Sequence, residues 1–272
     1  MCRVLQVSRS GFYAWCNRPE SGRKIDNVRL DIEIRAMYHF KKGRYGSVKI
    51  TKELRKKGFG CSRSRVARRM KHMGLRAKTV RKFKVTTDSK HSFPVAPNLL
   101  NRQFSVARKN QVLVSDITYI PSRAGWLYLT VVIDLFSRMV VGWNLSTSLA
   151  HEGALAALHQ AVWRRKPPKG TMFHSDRGVQ FACNKFRKAL ASHHFIQSMS
   201  RKGDCWDNAV AESFFRTLKI ELVYHVNFLN KEHAQRELFE YIEIFYNRQR
   251  IHATLGYLSP AEFESVKLAK CA

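Results

Sequence analysis

The stretch His174-Ser-Asp-Arg-Gly-Val-Gln180 indicates the fold of the larger part of this sequence. It follows a short apolar run at 171–173 that predicts a β-strand, so Asp176 stands where a strand ends. Gly178 permits a tight turn that would leave the Asp176 carboxylate facing a cleft. The stretch therefore predicts a strand-end carboxylate in a domain that mixes strands and helices.

Two other acidic residues stand in related settings. Asp116 interrupts the apolar strand pattern 112–120, where a carboxylate is unfavourable unless a cation or a hydrogen-bond donor satisfies it. Glu212 lies in a helical pattern at 207–219, with 35 residues between it and Asp176. Three carboxylates on two strand ends and a helix could hold a pair of divalent cations. In a basic chain, this combination indicates phosphoryl chemistry on nucleic acid.

Apolar surroundings alone do not identify a catalytic carboxylate. Asp134 has the same surroundings, in the run 131–134. We expect it to be a structural carboxylate at a strand end or turn, and therefore a reference for an acid without a catalytic role. His174 precedes Asp176 by two residues, so both side chains point to the same face of a strand. His174 could orient a substrate phosphate or a water molecule, and the equally plain alternative is a hydrogen-bonded histidine near the cleft.

Helical geometry places three polar residues, Asn208, Arg216 and Lys219, on one stripe with Glu212. In the functional interpretation, Glu212 faces the cleft, and Arg216 and Lys219 face DNA phosphates. In the alternative, Glu212 and Arg216 form an exposed i,i+4 pair that contributes only about 0.2–0.5 kcal/mol. Apolar residues, led by Ala211 and Leu218, cluster on another stripe that can pack on the sheet.

The composition indicates the class of partner. The 272 residues include 49 Lys and Arg against 20 Asp and Glu, which gives a net charge of +29. A surface this positive attracts polyanions such as nucleic acids. The alternative is a ribosome-like or incidentally basic protein. The hydrophobic content of 44% argues against a disordered chain.

Cysteine usage and hydropathy concern the compartment. The six cysteines are scattered, without a Cys-x-x-Cys pair or a metal-ligand spacing, and reduced thiols are expected. The sequence contains no apolar run of membrane-spanning length and no signal-peptide core. We therefore expect a cytoplasmic, nucleoid-associated protein without a membrane partner.

The sequence predicts five segments. They are an N-terminal helical fragment (1–22), a basic helix-turn-helix-like domain (23–75), a basic linker (76–103), a catalytic core (104–225) and a C-terminal helical extension (226–272). In the first segment, Ser8 could cap a short helix that begins at Arg9. In the last, a helix is expected from Asn230 to about Asn247, and a second is expected to start with a capping box at 259–262.

Residues 23–84 contain 22 Lys and Arg against 4 Asp and Glu. Three helices are expected in this block, at about 26–40, 47–57 and 62–73, with Ser47 capping the second. Ile25, Val28, Ile32 and Ala36 are spaced as an apolar stripe of the first helix. The third helix is basic, and its Arg65, Arg68 and Arg69 are the predicted DNA contacts of a helix-turn-helix unit. The alternative is a charged, solvated bundle.

Periodicity in the core predicts the order β-β-β-α-β-α-β-α. Two hairpin-linked strands followed by a helix indicate a mixed sheet. The fold class is therefore α/β, a mixed sheet flanked by helices, with an all-helical N-terminal domain.

The ordered set of motifs resembles the OrfB-type transposases of bacterial insertion sequences, in the retroviral-integrase superfamily. The resemblance covers almost the whole chain, and the 35-residue spacing and the lysine seven residues after Glu212 make it specific. The matching pieces are Val7-Ser-Arg-Ser-Gly-Phe-Tyr-Ala-Trp15, Tyr45-Gly46, Gly74-Leu-Arg-Ala77, Asp116-Ile-Thr-Tyr-Ile120, Gly125-Trp-Leu-Tyr-Leu129, Ile133-Asp-Leu-Phe-Ser-Arg138, His174-Ser-Asp-Arg-Gly178, Ser198-Met-Ser-Arg-Lys-Gly203, Cys205-Trp-Asp-Asn-Ala-Val-Ala-Glu-Ser-Phe-Phe215, Tyr246-Asn-x-x-Arg-x-His252 and Leu255-Gly-Tyr-x-Ser-Pro260.

The resemblance implies a ribonuclease-H-like fold with a mixed five-stranded sheet and a catalytic Asp116–Asp176–Glu212 triad. It also implies two Mg²⁺ or Mn²⁺ ions, hydrolysis that frees a 3′-OH at an element end, and attack of that 3′-OH on a second phosphodiester. Lys219 matches a basic residue that contacts element-end DNA. Together with the residues around the triad, the predicted DNA contacts are Lys219, Arg216, Asn208, Arg177, His174, Arg65, Arg68 and Arg69.

The partners implied are the terminal inverted repeats, target DNA and further copies of the chain in a homo-oligomer on DNA. The zinc-binding His-His-Cys-Cys module of retroviral integrases has no counterpart in the sequence. The family often supplies a further helix-turn-helix and a leucine zipper from an upstream frame, as a partner or a frameshift fusion. These are distinct from the helix-turn-helix-like domain at 23–75, and we expect them to be absent from this sequence. The alternatives to a transposase are a non-catalytic DNA-binding regulator of the element and a plain nuclease of the same fold.

Overall fold

The computed structural model describes residues 2–79, 93–201 and 205–269. The chain divides into two compact units, Met1–Lys78 and Thr79–Ala272. Among the described residues, none of the helices combines the length and the apolar character needed to cross a membrane. The centre of the predicted linker, 80–92, lies outside the described residues.

The first unit is entirely helical in its regular structure. It contains α1 (Arg9–Cys16), α2 (Gly22–Phe40), α3 (Ser47–Lys56) and α4 (Arg63–His72). The predicted cap of α1 is confirmed, because the Ser8 hydroxyl accepts a hydrogen bond from the Gly11 amide at 3.3 Å. The predicted Ser47 cap is wrong: α3 begins at Ser47, and its N-cap is Gly46, which has no side chain to accept a bond.

The helix predicted at about 26–40 is present as α2, but the apolar residues used to predict it are not its buried face. Leu30, Ile34 and Met37 are buried, whereas Ile25, Val28 and Ile32 are 43–61% exposed, and Ala36 is exposed as well. Both sets have helical spacing, so the sequence pattern alone could not choose between them. The packing of α2 against α3 and α4 selects the second set.

The second unit is built on a five-stranded sheet of order β3-β2-β1-β4-β5. The strands are β1 (Val112–Ser122), β2 (Gly125–Asp134), β3 (Val140–Ser146), β4 (Met172–Ser175) and β5 (Ile196–Met199). The first three form antiparallel pairs, while β4 is parallel to both β1 and β5. The predicted mixed five-stranded sheet is confirmed.

Helices cover both faces of this sheet. They are α5 (His151–Arg165), α6 (Val179–Ala182), α7 (Asn184–Ser192), α8 (Ala209–Glu221), α9 (Lys231–Phe239) and α10 (Pro260–Ala269). Only α6, a single turn, has no counterpart in the predicted order. A π-helical segment, Glu240–Tyr246, continues α9, and the predicted capping box opens α10 through reciprocal bonds between Ser259 and Glu262.

Alternation along the strands assigns each helix to a face. Leu113 and Val132 belong to the apolar core that includes Ala157 of α5. Residues of the opposite parity face α8 and the π-helical segment, as the Trp143 indole shows by donating to Glu243 at 2.8 Å. Asp116 has this second parity, so its side chain lies on the face away from α5.

The second half of the predicted linker is not a free connection. The Leu99 amide donates to the Ser198 hydroxyl at 2.9 Å, the Asn98 side chain donates to Asp207 at 2.7 Å, and Leu100 is buried. Two prolines, Pro94 and Pro97, explain why the sequence indicated irregular structure here. The irregular backbone around residues 98–100 therefore packs on the sheet unit.

Gly142 allows α5 to approach the sheet closely. A Cβ atom at Gly142 would lie 2.2 Å from the Ala157 carbonyl oxygen and 2.9 Å from the Ala161 amide nitrogen. We expect Gly142→Ala to lower the free energy of unfolding of the sheet unit by about 1–3 kcal/mol or more, because backbone must move to relieve the overlap. Chemical denaturation monitored by circular dichroism measures this loss.

The matched control is Gly153→Ala within α5, where the new Cβ would meet no atom closer than 3.6 Å. Alanine is the better helix former, so this variant should be neutral or slightly more stable. Equal stability of the two variants would show that α5 does not rest on Gly142 as described.

Candidate active site at the carboxyl end of β4

The parallel register of β1 and β4 places two of the predicted carboxylates side by side. Ser115 pairs with Ser175, which is the last residue of β4. Asp116 and Asp176 each follow that pair directly, on neighbouring strands about 4.8 Å apart. Both carboxylates therefore stand at the carboxyl end of β4, on the face that α8 covers.

The third carboxylate comes from α8. The Asn208 side-chain amide, at the start of this helix, donates to the Ser115 carbonyl oxygen at 3.1 Å. Glu212 follows one helical turn later, and it is exposed on the helix surface. The predicted packing stripe is confirmed, since Ala211, Phe214 and Leu218 are buried. The helix is thus fixed to β1 one residue before Asp116.

The charges of these residues influence one another. Burial raises the pKa of Asp116 well above its usual range, and the neighbouring carboxylates of Asp176 and Glu212 raise it further. Partial burial also raises the pKa of Glu212. Burial lowers the pKa of Lys219, and the nearby Asp116 carboxylate opposes that shift. Three acids and one lysine therefore share a single electrostatic environment.

The donor set fits divalent cations by charge and by atom type. Hard cations such as Mg²⁺ take oxygen ligands, and concentrated negative charge of this kind is relieved by a cation. The Asn208 side-chain oxygen, Oδ1, is buried and has no protein hydrogen-bond partner, so a cation-bound water could satisfy it. Across the described residues, no three acidic, histidine or cysteine side chains converge closely enough to enclose an ion in this side-chain arrangement.

Asp207 fixes the chain immediately before α8. Its carboxylate is fully buried and accepts bonds from the side chains of Arg201, Arg102 and Asn98 and from the Arg201 amide. These donors, chiefly the Arg201 guanidinium, hold the pKa of Asp207 well below its usual range. The carboxylate stays charged and unites the residues before β1 with those before α8.

A second anchor holds the other end of α8, and the sequence analysis did not recognise it. The Glu221 carboxylate, 8% exposed, accepts bonds from the Arg250 guanidinium at 2.9–3.1 Å and from the Tyr241 hydroxyl at 2.8 Å. The Tyr246 ring packs edge-on against Phe214 of α8, with ring centroids 4.8 Å apart. The signal was the motif Tyr246-Asn-x-x-Arg-x-His252, which the analysis noted without a role.

Two residues predicted to contact DNA are instead part of the interior. His174 is fully buried between the hydroxyls of Ser198 and Ser200, at 2.9 and 3.3 Å, and burial lowers its pKa to about 4. The neutral ring offers no charge to a phosphate. Asn208 is 5% exposed and bonds to Ser115, so it positions α8 and does not present its amide to solvent.

Asp134, the other acid in an apolar strand, is a structural carboxylate, as expected from its position at a strand end. It is fully buried and accepts hydrogen bonds from the amides of Asn110 and Phe136, each at 3.0 Å. The Arg165 guanidinium, which also binds Glu264, pairs with it at 2.9 Å. Asp134 is satisfied by this turn, whereas Asp116 faces two other acids.

The basic residues differ in what they contact. In the first unit, Arg65 donates to Asn27 and Arg69 pairs with Asp31, so both join α4 to α2, whereas Arg68 is exposed. In the second unit, Arg216 is exposed on α8. The Arg177 guanidinium donates to the Ser200 carbonyl oxygen at 2.6 Å and remains half-buried. The structure thus leaves Arg68 and Arg216 more accessible than the other predicted contacts.

Comparison with known proteins decides the family. Residues 106–205 and 212–268 each match a model described as an integrase core domain, and residues 25–83 match an HTH-like domain. The chain is 43% identical to Transposase InsF for insertion sequence IS3A of Escherichia coli (strain K12), over 99% of this chain and 94% of the relative. The chain belongs to this family of insertion-sequence transposases. It is a DNA transposase, and its core has the ribonuclease-H-like fold of integrases.

Two further similarities concern another insertion-element protein and a solved structure. The transposase is 43% identical to the Insertion element IS600 uncharacterized 31 kDa protein of Shigella sonnei, over 97% of each chain. Among solved structures, a chain of the simian T-cell lymphotropic virus intasome in complex with PP2A regulatory subunit B56 gamma aligns at 14% identity and a TM-score of 0.49. That alignment covers 85% of this chain and 73% of the other.

The anchor at the end of α8 can be tested by a double-mutant cycle. Arg250→Met leaves the Glu221 carboxylate buried and without its cation, so we expect a loss of about 3–5 kcal/mol in the free energy of unfolding. Glu221→Gln should cost less than this, because its amide oxygen can still accept from Tyr241.

The double variant Glu221→Gln with Arg250→Met should lose less stability than the sum of the single variants, because no isolated charge remains. Denaturant titration of the four proteins measures the cycle. Strictly additive losses would mean that the two side chains do not stabilise α8 as a pair.

Proposed function

We propose that Asp116, Asp176 and Glu212 are the catalytic residues of this transposase and that together they hold two Mg²⁺ or Mn²⁺ ions. The observation that carries the proposal is positional. The strand register sets Asp116 beside Asp176, and the bond from Asn208 to Ser115 brings the helix that bears Glu212 to the same strand end. Asp134 and Asp207, which are more deeply buried than the three proposed ligands, are already satisfied by protein donors.

Bound divalent cations would activate the attacking oxygen and stabilise the leaving oxygen of an in-line displacement at phosphorus. The protein's part is to hold the carboxylates in place. Asp116 is fixed by the Ile117 amide at 2.8 Å and Asp176 by the Gly178 amide at 3.0 Å. Glu212 projects from an exposed position, so its side chain has room to change rotamer when cations bind.

The reaction proposed has two displacements at phosphorus. In the first, a water oxygen attacks a phosphodiester at the element end, the bond to the 3′ oxygen breaks, and a free 3′-OH and a 5′-phosphate remain. In the second, that 3′-OH attacks another phosphodiester and releases its 3′ oxygen, so one strand is joined as another is cut. The number of phosphodiester bonds is unchanged in the second step, and no external energy source is needed.

Basic side chains near the triad and on α4 are proposed to bind the DNA backbone. Lys219 and Arg216 lie on the helix that bears Glu212, and Arg177 follows Asp176 directly. These side chains would contact phosphates close to the reacting bond, while Arg68 of α4 would contact phosphates of the terminal repeat. The substrates are the element's terminal inverted repeats and target DNA. Working assemblies would contain several copies of the chain, with an upstream-frame helix-turn-helix and leucine-zipper partner or fusion.

Asp176→Asn tests the catalytic assignment. The variant should still fold and bind DNA, but its cleavage of an element-end duplex in Mg²⁺ should fall at least about a thousand-fold, since a lost ligand removes several kcal/mol of transition-state stabilisation. Electrophoresis of a labelled strand measures both cleavage and joining.

Glu152→Gln is the matched control, because Glu152 is an exposed acid on α5, on the other face of the sheet. It should retain the unmodified protein's activity. Equal activity of the Asp176→Asn variant and this control would refute the assignment. Cleaved strands without any joined product would indicate a nuclease in place of strand transfer.

A further inference from the structure

We propose that Trp206 is a stacking site for one nucleobase beside the scissile phosphate, with the guanidinium groups of Arg201 and Arg102 directed to the flanking phosphates. The proposal rests on the proposed function for its location, since it takes Glu212 to mark the reacting bond. It concerns a different property, which is how the strand is held next to that bond.

The first observation is that Trp206 is exposed although its neighbours are fixed. The indole is 68% exposed, whereas Asp207 is fully buried and Asn208 is 5% exposed. All three belong to one 3₁₀ turn, Cys205–Asn208. Asp207 is held by three side chains and Asn208 by the Ser115 carbonyl oxygen, so the backbone that carries the indole is anchored. The turn therefore presents a large flat side chain to solvent from a rigid base.

The second observation is the charge around the indole. The Arg201 and Arg102 guanidinium groups both bind the Asp207 carboxylate, the residue next to Trp206, yet their side chains are 49% and 45% exposed. Asp207 orients them and leaves much of each side chain facing solvent. An exposed aromatic ring with two oriented guanidinium groups matches a nucleotide, because the ring stacks on a base while guanidinium groups pair with phosphate oxygens.

The third observation is proximity to the reacting bond. Glu212 lies six positions after Trp206, along a 3₁₀ turn that runs directly into α8. A rise of 1.5–2.0 Å per residue gives about 10 Å along the axis. Successive nucleotides of one strand are about 3.4 Å apart, so this distance corresponds to roughly three nucleotides. The base that stacks on Trp206 is therefore expected within about three positions of the scissile phosphate.

DNA is the occupant that these observations favour. The protein is a DNA transposase with a net charge of +29, and the groups bound to the adjacent Asp207 are cationic. A protein partner with a complementary apolar surface would meet two half-exposed arginines there instead of an apolar rim. A base in a paired duplex has both of its faces covered, so the base bound by Trp206 would be unpaired. The proposal therefore includes local opening of the duplex at the cut.

Trp163 provides a matched control in the same unit. It is 78% exposed and is followed by two arginines, Arg164 and Arg165, which pair with carboxylates just as Arg201 and Arg102 do. It lies on α5, however, which packs on the sheet face opposite α8. Removing this indole changes the exposed aromatic surface by a similar amount without changing the proposed site.

The test uses element-end duplexes with 2-aminopurine at single positions within three nucleotides of the cut, and one duplex with the probe about twelve nucleotides away. The full chain carries Asp176→Asn so that the strand stays intact and the readout is fluorescence, not activity. In this background, 2-aminopurine near the cut should stay quenched on binding, because the opened base exchanges stacking in the duplex for stacking on Trp206, and the distant probe should be unaffected by either tryptophan.

Trp206→Ala should restore the emission of the near probe and weaken binding about ten-fold, because base–aromatic stacking is lost. Trp206→Phe should keep most of the quenching, while Trp206→Leu, which keeps apolar bulk without an aromatic face, should not. Trp163→Ala should behave as the parent. Thermal unfolding of each variant confirms that it is folded.

Equal quenching in the Trp206→Ala, Trp163→Ala and parent proteins would overturn the proposal, as would equal losses from Trp206→Ala and Trp163→Ala. The triad assignment is judged separately, by whether Asp176→Asn cuts the unlabelled duplex. A cut strand there would refute the triad and leave the fluorescence result to stand on its own.

Discussion

The parallel pairing of β1 with β4 is the interaction on which the rest of the active site depends. Ser115 of β1 lies opposite Ser175, the last residue of β4, and an aspartate follows each serine. The pairing therefore brings the two carboxylates together despite their repulsion. Burial raises the pKa of Asp116, and the repulsion from the Asp176 carboxylate raises it further. Sheet hydrogen bonds and the packing of α5 over Gly142 stabilise an arrangement that the charges alone would oppose.

The helix that bears Glu212 is held at both ends by buried polar groups. At its start, the Asp207 carboxylate accepts hydrogen bonds from two arginines and an asparagine, and the Asn208 side chain donates to β1. At its end, Glu221 receives Arg250 from the C-terminal segment. Buried ion pairs are weak sources of net stability, but each strongly specifies one position. The distant segments on either side of the core thus determine where one exposed carboxylate stands.

The sequence predicted the sheet well, because strands and helices in this unit have strong periodicity and clear ends. It also predicted that Asp116, Asp176 and Glu212 would be brought together, although their catalytic role stays a proposal. It failed where several choices satisfied the same pattern. In α2, two stripes had helical spacing and only packing could choose between them. His174 was assigned to DNA because strand parity placed it beside Asp176, but parity does not reveal that two serines enclose the ring. Glu221 and Arg250 are 29 positions apart, and the motif that contains Arg250 does not indicate which acid it binds.

Anomalous diffraction from crystals of the transposase equilibrated with Mn²⁺ tests the central claim most directly, because it locates cations without relying on activity. Peaks enclosed by the carboxylate oxygens of Asp116, Asp176 and Glu212, at about 2.0–2.2 Å from them, are the predicted result. Peaks at Asp134 or Asp207 with none at the end of β4, or no ordered Mn²⁺ at any of these acids, would contradict the account.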